Sequence, residues 1–424
     1  MGAKYQALKG MEDILPGEIE KWQWLEGKAR VFFEAQGYKE IRTPILELTE
    51  LFSRSIGEAS DIVHKEMFSF EDRGERNISL RPEMTASVAR AVIEHGLLKT
   101  NKSLRLYYLG PMFRAERPQA GRKRQFHQIG IEIINETNQG GFQVDFHAIS
   151  LLCRFLSWLG LKDFSLRVND LGDFAQQREL ASKLVQHFSN EKSKLCPDCH
   201  YRLGKNVLRI FDCKNKNCQP VIDKAPWDEI APLSKEFGLL IDNLKKNNVS
   251  FEINRRLVRG LDYYNGTVFE IVAPGLGAQD AVAGGGRYDR LYESLGGSPV
   301  PATGFSIGME RLLKVLEGTR TDFLKEINRH RIYFASLIDD SDGRGTVRDQ
   351  MLLLREAGFI IETTPGETSL STHLKRANQL GARYVVICGE DELKKGKFAL
   401  KNLEKRTQQE VDFSELISAL RNLC

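Results

Sequence analysis

The chain has 424 residues, of which 41% are hydrophobic and 28% charged, with a formal net charge of +4. That is the composition of an ordinary globular protein with room for two or three domains. It excludes a globally basic nucleic-acid binder, so any polyanion must be met by local patches. No apolar run reaches the length that spans a bilayer, and no membrane partner is expected. The first residues show no apolar h-region, position 6 is Gln6 where a myristoylation motif wants Ser or Thr, and the seven Cys are unevenly spread; together these point to a reducing, cytoplasmic setting.

In chain order, a helix is expected over 18–36, with Ile19, Trp22, Leu25, Ala29, Phe32 and Phe33 among its apolar positions and Gly37 at its end. A strand follows at 38–42, and Pro44 bars a helix interior there. Residues 68–80 read as two short strands around a polar turn, then a helix over 83–95 with Pro82 near its start. Residues 103–115 and 125–135 alternate strongly on either side of a polar loop, which makes a long antiparallel hairpin, and 145–160 form an amphipathic helix. From 170 to 250 the chain is rich in Lys, Asn and polar helices and reads as an insertion into the first domain. Strands return at 251–258, 267–273 and 280–286, and a helix begins near Met309. A boundary falls near 320–330. Beyond it, strands at 331–337, 358–363, 383–388 and 397–401 and helices at 343–357, 369–380 and 413–422 form a small α/β domain.

Three stretches carry chemistry. In the second hairpin strand, Phe126, Gln128, Gly130 and Glu132 share one face by the period of two, and His127, Ile129, Ile131 and Ile133 share the other, which is expected to pack inward. The first face could stack a ring, bond an amine and accept a proton, or it could be the ordinary polar side of a half-exposed sheet. The hairpin loop bears on that choice: Arg114, Arg117, Arg122, Lys123 and Arg124 meet only Glu116, around a tip shaped by Pro118 and Gly121. Such a density of cations attracts phosphate, free or in a nucleic-acid backbone. Second, Gly284, Gly285 and Gly286 permit either a close approach to a ligand or a tight turn. Gly304 and Gly308 flank a strand that enters a helix, with Arg311 in its first turn, where the helix start favours an anion and a guanidinium adds grip. Neither stretch is a P-loop or a dinucleotide fingerprint. Third, Arg259, Asp262, Tyr263 and Tyr264 crowd around Gly260 at the mouth of an apolar strand.

A ring-stacking face, an arginine-rich loop, a helix-start arginine and a Gly-rich strand on a mostly antiparallel sheet suit an ATP held in a bent form. The set resembles the class II aminoacyl-tRNA synthetases. "GYKEIRTPILE" with Pro44 is similar to their motif 1, Arg114, Glu116 and Phe126 to motif 2, and Gly308-Met309-Glu310-Arg311 to motif 3. Each is loose alone. "LVRGLDYY" together with "RPEMTA" and "QFHQIGIE" is specific, and is similar to the histidyl-tRNA synthetase family over essentially the whole chain.

The resemblance implies an α+β fold: an antiparallel-sheet catalytic domain of the class II type over 1–325, a helical insertion at 170–250 within it, and an α/β anticodon-binding domain over 330–424. It implies a histidine–tRNA ligase, acting as a homodimer, that joins L-histidine to ATP with Mg2+, releases pyrophosphate and passes histidine to the 3′-terminal adenosine of tRNA-His. On the matching positions, Glu83, Met84 and Thr85 border the α-amino group, helped by Gln128. Met84 stands where related chains often carry Gly, and is expected to offer only backbone. Glu132 and Tyr264 take the two imidazole nitrogens, and Tyr263 lines the pocket. Arg114 grips the α-phosphate, Phe126 stacks on adenine, Glu116 helps fix it, and Arg311 takes the γ-phosphate. Arg259 sits beside the α-phosphate and the substrate carboxylate, so Arg114 and Arg259 are the catalytic pair. Arg117 and Gln119 are matched to the extra 5′ guanosine of the tRNA, and Arg122 to its backbone. Asp262 either orients Arg259 or its loop, or caps a turn.

Cys196, Cys199, Cys213 and Cys218 are spaced C-x2-C-x13-C-x4-C. Short C-x2-C turns can aim thiolates at zinc, but the second pair is loosely spaced and the interval is shorter than in the usual ribbon. A structural zinc and a group of small buried thiols both fit; no metal is assigned, and a zinc there is expected to lie far from catalysis. Two other functions compete. A catalytically inactive relative that regulates the first enzyme of histidine biosynthesis would usually lack the Arg259 motif, the motif 2 loop and the second domain, all present in this chain. A synthetase for proline or threonine does not account for Glu132 with Tyr264.

Overall fold

A computed structural model describes residues 5–57, 60–118, 122–135, 141–225, 233–277, 280–320, 323–328 and 331–423. The chain divides into two compact units, Met1–Thr319 and Arg320–Cys424. Among the described residues no helix is long and apolar enough to cross a membrane.

The first unit is built on an eight-stranded sheet, in the order Lys39–Glu40, Leu104–Phe113, Gln125–Ile134, Ala302–Gly308, Ala281–Arg287, Asn265–Val272, Ser165–Asp170, Glu252–Ile253. Neighbours are antiparallel except at the two edges, where the pairs are parallel. Alternation sorts the side chains: Ile129, Ile131, Ile133, Phe269, Ile271, Phe305 and Ile307 are all buried. The helices Ile19–Ala35 and Gly141–Trp158 cover this side, with Phe33 4.9 Å from Phe155 and 6.3 Å from Phe305 between ring centroids. A buried ion pair rivets helix to sheet: Asp145 accepts from Arg287 and from Thr303, each at 2.8 Å. A separate three-stranded sheet runs Leu46–Leu48, Asn77–Leu80, Phe68–Glu71.

The strand expected at 251–258 is only Glu252–Ile253. The Asn254 side chain bonds the Arg256 N–H at 3.0 Å, and Asn169 donates to the carbonyls of Arg255 and Leu257, so the chain leaves the sheet as a pinned loop. Within 170–250 lie the helices Phe174–Asn190, started by a capping box from Asp173 and Gln176, Pro197–Lys205 and Lys235–Lys246. The last packs back on Gly141–Trp158, with Glu236 accepting the Phe142 N–H at 3.1 Å.

The second unit has a five-stranded sheet, Ile360–Glu362, Arg331–Ser336, Tyr384–Cys388, Lys397–Asn402, Thr407–Asp412, parallel in its first three strands and antiparallel in its last two pairings. Helices Ser341–Glu356, Leu370–Gln379 and Leu416–Leu423 accompany it. Ile332, Phe334, Val386, Phe398 and Leu400 fill one core. The strand Thr407–Asp412 was not expected. Only Val411 is buried in it, so this edge strand reads as a polar turn.

Candidate active site

Residues paired across antiparallel strands share a face. Gly284 pairs with Ser306, which pairs with Gly130; Gly286 pairs with Gly304, which pairs with Glu132; and Gly284 also faces Glu270. One strip of the sheet therefore alternates glycines with Gln128, Glu132, Ser306 and Glu270. The glycines are there because other groups lie against the backbone. A Cβ on Gly284 would strike the Arg259 guanidinium, on Gly304 the Glu132 carboxylate, on Gly130 the ring of Tyr108, and on Gly286 the ring of Tyr264. Gly284–Gly286 thus sit inside a strand as a close-approach surface, not a turn. The half-exposed sheet weighed above is not what forms around Glu132, which is 1% exposed.

At one end of the strip is a buried polar pocket. Thr85 Oγ1 donates to Glu132 Oε1 at 2.7 Å, and the Tyr288 hydroxyl donates to Oε2. Burial pushes the Glu132 carboxyl up to about 8 in spite of these two bonds. Glu83 accepts the N–H groups of Thr85 at 2.6 Å and Ala86 at 2.9 Å, the first amides of the helix Thr85–Glu94, and burial raises its carboxyl as well. Tyr263, whose hydroxyl is 3.5 Å from Glu83, has ring centroids 4.7 Å from Tyr264 and 5.6 Å from Tyr288. Burial holds these phenols protonated, Tyr264 at about 12. The entry segment is fixed by Arg81, which donates to the carbonyls of Thr43 at 2.8 Å and Pro111 at 2.9 Å. Met84 is buried in the core with the Thr43 hydroxyl 3.1 Å from its sulfur. Two carboxyls, three phenols and a hydroxyl shielded from water suit a ligand that brings N–H donors or positive charge, because such a ligand relieves the desolvation of the acids.

The strip opens into a cleft of about 520 Å³ whose wall includes Arg114, Arg122, Arg259, Arg311, Phe126 and Gln128. Arg259 donates to Glu270 at 2.9 Å, while its buried Nε makes no hydrogen bond. Burial opposes its charge, but Glu270 and the nearby phenols outweigh that and keep it protonated. Arg114 donates to the Pro82 carbonyl at 3.0 Å and lies 5.2 Å from the centroid of the Phe126 ring. Arg311 donates to the Ala281 carbonyl at 2.6 Å. Gln128 donates to Ser306 at 3.2 Å. Glu116 is bonded by Arg122 at 2.5 Å, so two residues that the resemblance assigns to different partners are joined. Arg117 is exposed, and Gln119 lies outside the described residues. The hairpin is tied to the last motif by Glu310, which accepts the His127 N–H at 3.0 Å.

Asp262 does not meet Arg259. It accepts from Arg209 at 2.9 and 3.1 Å and from Asn206 at 2.9 Å, and Arg209 also holds the Gly260 carbonyl at 2.6 Å. The loop is thus oriented by a cation from the 170–250 segment. Gly57, at φ +92°, passes so close that any side chain would collide with Asp262. Sequence reasoning missed Arg209, Tyr288, Glu270 and Ser306. Tyr288 lies two residues after the glycine run, a signal that could have found it; Arg209 offered none, being one cation in a polar segment. The four cysteine sulfurs lie within 4.8 Å of one another. The segment they bracket contains Asn206 and Arg209, so the cluster is not remote from the catalytic loop, contrary to expectation.

The family described as "Histidyl-tRNA synthetase" matches residues 10–194 and 224–312, and an "Anticodon binding domain" matches 346–423. The chain is similar to the histidine--tRNA ligase of Prochlorococcus marinus (strain MIT 9211), 42% identical over 99% of this chain and 100% of that protein. It is similar to the histidine--tRNA ligase of Syntrophomonas wolfei, 41% identical over 99% of this chain and 98% of that one. Among solved structures it is similar to apo histidyl-tRNA synthetase of S. aureus, with a TM-score of 0.74 and 30% identity over 98% of this chain and 100% of that chain.

Proposed function

The chain belongs to the histidyl-tRNA synthetase family, and from that premise we propose that it is a histidine–tRNA ligase working through the residues described above. The observation that carries this is the single sheet face on which a buried, proton-holding Glu132 among tyrosines adjoins a cleft walled by arginines.

The imidazole enters between Glu132 and Tyr264, with Tyr263 and Tyr288 around it. A side chain lacking either nitrogen would leave one of these partners stranded, which is the strong form of discrimination. The α-amino group is held near Glu83 and Thr85, with Gln128 at the mouth. The carboxylate is then directed toward the cleft, where ATP lies with adenine on Phe126, near Glu116, and its γ-phosphate at Arg311. A carboxylate oxygen attacks the α-phosphorus, the bond to the bridging oxygen breaks, and pyrophosphate leaves. Negative charge grows on the α-phosphate oxygens, and Arg114 and Arg259 are placed to match it; the unbonded Nε of Arg259 is a donor in reserve. Mg2+ bound with ATP would neutralise charge on its phosphate oxygens, and carboxylates of the cleft wall, Glu116 and Glu270 among them, would hold it. In the second step the 3′-terminal adenosine hydroxyl attacks the acyl carbon and AMP departs. Arg117, Gln119 and Arg122 are assigned to the acceptor end of the tRNA, and the second unit takes its anticodon. Ile45, Leu46, Leu48 and Phe70 are exposed on and beside the small three-stranded sheet, and this apolar patch supports a homodimer through that region. ATP and tRNA as substrates favour the cytoplasm.

The test is ATP–pyrophosphate exchange, which should require histidine. Arg259→Ala should reduce it by about 10²-fold or more, while histidine binding weakens less. Equal exchange with another amino acid, or unaltered exchange in the variant, would sink the proposal.

A further inference from the structure

Four thiols converge in the segment that braces the catalytic loop. Cys196 Sγ is 3.8 Å from Cys213 Sγ, and all four sulfurs of Cys196, Cys199, Cys213 and Cys218 lie within 4.8 Å of one another. Each is a free thiol; disulfide sulfurs stand about 2.05 Å apart. Thiolates on the corners of a tetrahedron around zinc, at about 2.3 Å from the metal, stand about 3.8 Å apart. Every pair of sulfurs being this close leaves no side chain between them, so they enclose a common centre. The backbone also serves sulfur: the Cys196 N–H points at Cys218 Sγ at 3.2 Å, and the Asn215 N–H at Cys213 Sγ at 3.4 Å.

We propose that Cys196, Cys199, Cys213 and Cys218 hold a structural zinc ion. With four protein ligands no position is left for water or substrate, so the ion takes no part in the chemistry. Binding displaces the thiol protons, and the excess negative charge of four thiolates on Zn2+ meets Arg202, one turn beyond Cys199, and Lys214, beside Cys213. The metal closes residues 196–218 into a ring. From that ring Arg202 donates to Asp61 at 2.6 Å, and Asn206 and Arg209 hold Asp262 and the Gly260 carbonyl, next to Arg259. The ion thereby braces the loop that presents Arg259. This bracing role rests on the function proposed above; the metal site itself does not.

Full-length protein purified with reductant and without chelator should contain one zinc per chain by plasma mass spectrometry. Cobalt should replace it and show the thiolate charge-transfer bands of a tetrahedral all-sulfur site. Cys199→Ser and Cys218→Ser should each lower the metal content at least about tenfold. Stripping zinc from the wild-type protein should lower ATP–pyrophosphate exchange about tenfold, in kcat more than in KM for histidine, with recovery on adding zinc. Wild-type protein that contains no zinc, and takes up none when reconstituted with excess zinc and reductant, overturns the site, whatever its activity. Stripped protein with undiminished exchange overturns the bracing role.

Discussion

Replacing Glu132 by glutamine should stabilise the ligand-free protein at high pH and leave it little changed at low pH. Desolvation, aided by Glu83, holds the buried carboxyl at about 8 against an ordinary 4.5, and the bonds from Tyr288 and Thr85 offset it only in part. Below pH 4.5 folded and unfolded chains both carry the proton, and the site is at its most stable. Between 4.5 and 8 the unfolded chain releases the proton while the folded chain keeps it. Stability then falls by about 1.4 kcal/mol per pH unit, levelling off above pH 8 at a loss of about 5 kcal/mol as an upper bound. The amide has nearly the same shape and does not titrate. It leaves either Thr85 or Tyr288 short of an acceptor, a cost of about 1 kcal/mol that is the same at every pH. The slope therefore carries the prediction, not the offset. All four tryptophans fall before position 320, so urea unfolding followed by tryptophan fluorescence reports the first unit. The difference between Glu132→Gln and wild type should grow in the variant's favour from pH 5 to pH 8. Parallel stability profiles over that range would refute the reasoning. The same variant should bind histidine about 100-fold more weakly, because an amide offers the imidazole the wrong partner.

Arg209→Ala removes the cation from a buried pair, Arg209 being 5% exposed, and leaves Asp262 and the Gly260 carbonyl unsatisfied. It should cost the first unit about 3 kcal/mol in urea unfolding and lower ATP–pyrophosphate exchange at least about tenfold. Arg209→Lys, which keeps the charge but not the fork, should recover only part; wild-type stability and exchange in Arg209→Ala would show that the loop is held by something else. Gly284→Ala puts a methyl group where the Arg259 guanidinium lies, and the end of that side chain can swing away. Its thermal midpoint should move little while exchange drops about 10²-fold, and a variant with normal exchange would contradict the close approach.

The periods in the sequence determined much of this protein. Alternation over 103–115 and 125–135 marked the hairpin Leu104–Phe113 and Gln125–Ile134, and an apolar stripe marked the helix Ile19–Ala35. Contiguity brought Arg259, Tyr263 and Tyr264 into one motif. Burial is a property that each residue expresses locally, so its period survives in a single chain. The pairing of polar groups does not survive in that way. Glu132 is bracketed by hydroxyls 47 and 156 positions away in sequence, and Asp262 meets an arginine 53 positions away. The glycine strip becomes a floor only when three strands align in register. Which acid meets which donor depends on strand register and on the path of a polar segment whose sequence has no strong period. Only the tertiary structure decided those contacts, and with them which carboxyl keeps its proton.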